Sequence, residues 1–324
     1  DWASGAPSLL LEPSRTNLAT HSEWMGGLIL QNISVDVDNT ISPEGYANVS
    51  KITSSNTNSK VTISGIPYVA GTTYTFSAWV KNIDASIVQF LWYDGSSNRV
   101  YKENEVNTET FTRISFSFTP SNTTSSGQIQ IGRDLISGQS FYVYGAQLEE
   151  GTYPTSYIPT YGVSQTRLRD DCVNAGDSSL FNSTGGVLFF EASALFDDTT
   201  RRHISVSDGS TTDRLVLRYD TSSNSIQAFV QVGGLIYANL RTSNYTITDN
   251  LKMAFKWESG NQKLYVNGQI VDSSTDVFAF SQNILNNLSF TRGGTSQPFY
   301  GNTKQLAYFP TALSDEECIQ LTTV

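Results

Sequence analysis

The chain has 324 residues, a formal net charge of −10, 38% hydrophobic residues and 15% charged residues. At about 150 residues per domain, that length suits two domains with separate cores. An acidic surface repels phosphate backbones and anionic membranes, which argues against nucleic acid as a partner. No apolar run approaches the roughly 18 residues of a membrane-spanning helix. The first residues lack the basic start and apolar core of a signal peptide, so the chain reads as a piece of something longer. Cys172 and Cys318 are too few for a disulfide scaffold. They are either one pair joining the ends of the second half or two free thiols.

The elements in chain order are short and regular. Val61 and Ile63 alternate with polar neighbours in "SKVTISGI". Tyr74, Phe76, Ala78 and Val80 alternate with Thr73, Thr75, Ser77 and Trp79, and Ile114, Phe116 and Phe118 alternate with Arg113, Ser115 and Ser117. A period of two places one face on a core and the other in water. Turn signals at 94–98 and 136–140 separate these runs. "GTYPTSYIPTYG" is the exit of the first half; Pro154 and Pro159 bias Tyr153 and Ile158 away from helix. Its aromatic, proline-bearing character predicts a linker that packs between domains, unlike a free Gly/Ser tether.

The second half repeats the pattern. Leu188, Phe190, Ala192 and Ala194 share one face; so do Leu215, Leu217 and Tyr219, then Ile226, Ala228, Val230 and Val232. Leu251, Met253, Phe255 and Trp257 are in phase, and Asn267-Gly268 predicts a tight hairpin turn. Ser314 with Glu317 three residues on is a capping box that opens a helix of about two turns. The expected fold class is all-β: two tandem antiparallel β-sandwich (jelly-roll) domains with one short C-terminal helix. The expected boundaries are a lead-in segment 1–24, a first sandwich 25–160, a linker and first strand 161–179, and a second sandwich 180–324.

Three ordered motifs carry a resemblance: "PSLLLEPSRTNLATHSEWMGG" at 7–27, "GTTYTFSAWVK" at 71–81 and "YGAQLEEGTYPTSYIPT" at 144–160. Residues 7–160 resemble the carbohydrate-binding-module-like jelly roll of tailed-phage tail, fibre and head-spike proteins. Residues 180–322, through "KLYVNGQIV" and "ALSDEECIQL", are similar to the concanavalin A-like, laminin-G-type jelly roll. The resemblance implies a virion-surface or extracellular protein whose modules contact bacterial surface glycan or space a fibre, with other fibre subunits, in a homotrimer, as further partners.

Catalysis is not expected. The only histidines are His21 and His203, and neither lies beside a Gly-x-Ser-x-Gly elbow. Glycan hydrolysis needs two carboxylates about 5–10 Å apart. In concanavalin-like glycanases these come from a Glu-x-Asp strand; the corresponding strand here, "FFEASALF", holds only Glu191. Related jelly rolls carry a calcium on an Asp pair in the last strand, where this chain has Tyr144-Gly145-Ala146-Gln147. Asp197-Asp198-Thr199-Thr200 is the other place for such an ion, so a structural calcium stays open and no other cofactor is expected.

A lectin site needs an aromatic platform with amide, carboxylate or Arg partners. Trp79 sits on the polar side of its strand and is the expected platform. Gln89, or Trp92 and Tyr93 depending on register, with Arg113 and Gln130, would form its rim. Trp24 is expected to anchor the lead-in loop. In the second domain Arg201, Arg202, Arg218, Tyr237 and Arg241 are the polar-face candidates; an Arg cluster meets acidic glycans or pairs with nearby Asp.

Overall fold

The structure is a computed structural model and describes residues 8–96, 98–103, 108–294 and 296–324. The first seven residues of the lead-in segment, and Ser97 in the turn expected at 94–98, lie outside the described residues. The chain divides into two compact units, Ser14–Leu168 and Arg169–Val324, the second joined by the described residues 8–13.

In the N-terminal unit two five-stranded antiparallel sheets face each other. One has the order Thr112–Phe118, Tyr74–Asn82, Ser140–Glu150, Ala47–Ser54, Ile33–Ile41. The other has the order Ile29–Gln31, Lys60–Tyr68, Thr124–Ile131, Val88–Tyr93, Asn98–Glu103. The alternating apolar residues meet between them: Tyr74, Phe76, Ala78 and Val80 pack with Val61, Ile63, Phe90, Ile129 and Ile131. The residues between these apolar positions therefore face outward.

The residues around 14–24 are not a separate lead-in. Arg15–Asn17 pairs with Gln165–Arg167, and buried Asn17 bonds four backbone groups. Its amide donates to the carbonyls of Ala146 (3.2 Å) and Ile158 (2.8 Å). Its oxygen accepts from the N–H groups of Ala19 and Leu148, each at 3.0 Å. A side-chain amide with two donors and two acceptor lone pairs is thereby fully used. The exit segment also departs from expectation: it packs on the outer face of its own sheet. Buried Glu149 accepts from the backbone and hydroxyl of Thr155, and buried Gln147 accepts from Ile158 N–H at 2.6 Å. Thr75 donates to the carbonyl of Gly151 at 2.8 Å. An extended segment next to a finished sheet leaves its N–H and C=O groups unmet, and these polar side chains meet them.

The C-terminal unit pairs a six-stranded sheet with a five-stranded one. The first runs Leu9–Leu11, Gly301–Phe309, Gly185–Ala194, Leu251–Glu258, Gln262–Val266, Gln269–Ser274. The second runs Leu235–Thr242, Ile226–Val232, Arg214–Tyr219, Arg202–Ser207, Asn287–Ser289. Leu188, Phe190, Leu215, Leu217, Phe255 and Trp257 are core between them. Asn267 (φ 46°) and Gly268 (φ 78°) make the two-residue hairpin turn, with Val266 opposite Gln269. The helix Asp315–Thr322 has the expected capping box, with Ser314 accepting from the Glu317 N–H and Glu317 reaching back to Ser314.

That helix explains an apolar stretch with no alternation. Val187, Phe189, Ala254 and Tyr265 face away from the main core and pack under Cys318. Full burial of a side chain such as Val187 or Phe189 contributes about 2 kcal/mol. Asp315 fastens the helix by accepting from Lys256, Lys263 and Tyr265. These bonds hold its carboxyl down at about 2. Cys318 is buried and Cys172 packs against the other core; both are free thiols.

Candidate functional site

The first candidates divide between two sheets. On the sheet containing Tyr74–Asn82, Trp79 lies opposite Arg113 and beside Tyr144 in register. It is half-buried, and Arg113 donates to Ser77 at 3.0 Å. The upper part of this face is closed by the exit segment. Below it lies a tyrosine–glutamate network. Tyr157 and Tyr161 donate to the two oxygens of Glu23 at 3.1 and 3.0 Å, and Tyr144 donates to Glu44. Gly145 (φ 65°) has no Cβ where Trp79 and Tyr157 close in: an added Cβ would meet them at 3.1 and 3.4 Å. Trp24 does not anchor a loop by burial; it is 55% exposed, its ring folded over Gly26 and Gly27.

The other sheet settles the register of "VQFLWY". Val88, Phe90 and Trp92 turn inward, and Trp92 stacks on Phe118 at 4.8 Å between centroids and 10° between planes. Trp92 is therefore core and not part of a platform, because its phase follows Phe90. Gln89, Leu91 and Tyr93 turn outward. Leu91, Tyr93, Gln128, Gln130 and Arg133 line a shallow trough of about 210 Å³. Gln130 donates to Gln128 at 3.0 Å, and Arg133 donates to Gln130 at 2.9 Å. The Gln89 carbonyl accepts from the N–H groups of Gly132 and Arg133, fixing that loop against the strand. The Tyr93 hydroxyl is tied to the Gly95 carbonyl at 2.8 Å, which sets its ring. The amide chain uses its acceptors internally and leaves N–H groups of Gln128 and Arg133 for an incoming oxygen-rich ligand. Tyr93 and Gln130 of the expected rim lie at this trough, Gln89 lies beside it, and Gln128 and Arg133 were not among the expected residues. The period-two spacing of Gln128 and Gln130 was the available signal.

In the C-terminal unit the arginines gather on carboxylates. Asp220 takes Arg201 at 2.8 Å, Arg218 at 3.0 Å and Arg241 at 3.5 Å. Buried Arg202 is held by Asp198 at 2.8 Å and by the Thr200 carbonyl, so it is not a surface group. Tyr237 packs against the core beside Phe278, because its strand turns it inward there. Asp198 is thus engaged by Arg202, and Asp197 by Ser223 and Asn224. Among the described residues no group of three metal-ligating side chains assembles.

The groups nearest to catalytic chemistry are also occupied. Buried His203 accepts at Nε2 from Arg218 (3.0 Å), so its proton sits on Nδ1. Burial, then the charges of Arg218 and Arg214, push this imidazole down to about 3. Glu191 accepts from Asn250 at 2.6 Å.

A sequence-family comparison matches residues 188–318 to the concanavalin A-like lectin/glucanases superfamily, laminin-G type. No curated protein matches the chain. Among solved structures, the CBM40 of the Ruminococcus gnavus IT-sialidase is similar at 16% identity, over 48% of this chain and 97% of that one, with a TM-score of 0.39. Domains LG4-5 of the mouse laminin alpha1 chain are similar at 9% identity, over 87% and 96%, with a TM-score of 0.31. The CBM22-1–CBM22-2 tandem of Paenibacillus barcinonensis Xyn10C is similar at 10% identity, over 95% and 98%, with a TM-score of 0.33. The stretch matched by the lectin/glucanases family lies wholly in the C-terminal unit, from a core strand to the capped helix.

Proposed function

We propose that the chain is a non-catalytic glycan-binding segment of a phage-type virion fibre or surface protein, displayed outside cells and recognising bacterial surface polysaccharide. The observation that carries this is the trough of Tyr93, Gln128, Gln130 and Arg133 on an outward sheet face. An aromatic ring beside a row of side-chain donors suits the apolar face and hydroxyl oxygens of a sugar. The lectin/glucanases match in the C-terminal unit supports the same reading. The occupied states of His203 and Glu191 support binding without turnover. The phage assignment rests on the motifs at 7–27, 71–81 and 144–160, whose buried Asn17, Gln147 and Glu149 build the fold.

Tyr93→Ala and Gln130→Ala are each expected to weaken binding of a host polysaccharide at least tenfold. The unfolding midpoint of Tyr93→Ala should stay close to that of the parent, whereas Gln130 is buried and bonded to Gln128 and Arg133, so Gln130→Ala should also lower the midpoint. Trp79→Ala, on the opposite sheet, should bind normally. Isothermal titration of the three variants against one polysaccharide decides the matter; loss only in Trp79→Ala would move the site to the other sheet. No new reducing ends should appear in the incubated polysaccharide, and their appearance would make the protein a depolymerase. A second reading, a fibre spacer whose faces meet neighbouring subunits of a homotrimer, rests on the exposed Trp24, Tyr46 and Tyr161. Light scattering of the purified chain tests it.

A further inference from the structure

We propose that the C-terminal unit carries a second saccharide site, selective for a sugar acid, in the groove formed by Thr199–Arg201, Thr221, Gln297, Pro298 and Tyr300. The inference rests on the glycan-binding reading, and it adds a separate site and a ligand class. The groove encloses about 370 Å³, within the range of about 300–1,000 Å³ usual for small-molecule sites.

Its unmet hydrogen-bonding groups define the ligand. Arg201 spends only Nε on Asp220; among the described residues its two terminal nitrogens have no partner, and its side chain is 37% exposed. Those nitrogens form a fork that matches a carboxylate. The Oε1 of Gln297 is buried without a hydrogen-bond partner, and an amide oxygen there asks for a hydroxyl donor. Pro298 and Tyr300 add an apolar wall for the C–H face of a ring. A carboxylate with a neighbouring hydroxyl on a sugar ring meets all three demands.

The backbone at the groove agrees. Thr199 (φ 58°) and Gln297 (φ 49°) both hold left-handed conformations at the groove. For a β-branched residue such as Thr199 this is a strained outlier, of the kind that concentrates at ligand sites. The far wall is held in place: His203 bridges Pro298, and Ser205 donates to the Thr291 carbonyl at 2.8 Å. Three guanidinium groups share the single carboxylate of Asp220, so Arg201 is not saturated by it, although Asp197, Asp198 and Asp272 balance the charge of the wider region. An anionic sugar is therefore recognised by the directed fork of Arg201, not by net charge.

The test is calorimetric titration of the full chain with trigalacturonate, its methyl ester and maltotriose. Trigalacturonate should bind, and esterification should weaken it at least tenfold. Arg201→Gln should reproduce that loss, Arg201→Lys should recover part of it, and Gln297→Ala should weaken binding several-fold. Tyr93→Ala should leave it unchanged, which separates this site from the trough. Equal binding of acid and ester by the unmodified chain would overturn the proposal, whatever the folding of the variants. So would the lack of carboxylate-dependent binding to trigalacturonate, oligoguluronate and oligosialic acid at millimolar concentration.

Discussion

Asn17→Ala is expected to cost the N-terminal unit about 4 kcal/mol, from several buried polar groups left unmet at about 1–3 kcal/mol each. Asn17 is wholly buried and is the common partner of Ala19, Ala146, Leu148 and Ile158. Alanine removes all four bonds. Conversion at about 2–4 °C per kcal/mol gives a fall in Tm of about 10 °C. Thr16→Ala, one residue away, removes only an exposed bond to Thr166 and should change stability by no more than about 0.5 kcal/mol. Calorimetry of the two variants checks this. A small effect for Asn17→Ala would mean that the exit segment does not depend on its staples.

The second large effect is acid sensitivity from His203. Its folded imidazole is held near 3, against an ordinary value of 6.5, by burial and by Arg218 and Arg214. Below pH 6.5 the unfolded chain takes up a proton that the folded chain refuses. Stability therefore falls as pH drops from 6.5 towards 3, by about 2 kcal/mol at pH 5. The contribution is absent above 6.5, where both forms are neutral. His203→Gln keeps an acceptor for Arg218 and cannot titrate. Denaturant midpoints between pH 7.5 and 5 should slope in the parent and be flatter in His203→Gln. Equal slopes would show that His203 is protonated normally in the fold.

The strands were legible because Phe76, Ile129, Leu217 and Phe255 recur at a period of two. The turn at Asn267-Gly268 and the box at Ser314 and Glu317 carry local hydrogen-bond chemistry that needs no tertiary context. What covers a polar face was not legible. Gln147, Glu149 and Thr75 alternate as solvent-facing residues do, yet they are buried under the chain's own exit segment. Periodicity separates the two faces of a strand, and only the third dimension says what lies over the polar one. The run around Trp92 is apolar or aromatic at nearly every position, so its phase was ambiguous until Phe90 and Phe118 fixed it. The arginines were found as a group, but their sharing of Asp220 depends on register between strands.

The most direct measurement of the central claim is binding of the labelled chain to an array of bacterial surface polysaccharides, with Tyr93→Ala in parallel and with and without EDTA. A selective signal on few polysaccharides is expected, indifferent to EDTA and lost in Tyr93→Ala from those without carboxylates. Silence across the array, or a signal untouched by Tyr93→Ala on every polysaccharide, would contradict a sugar site on that sheet.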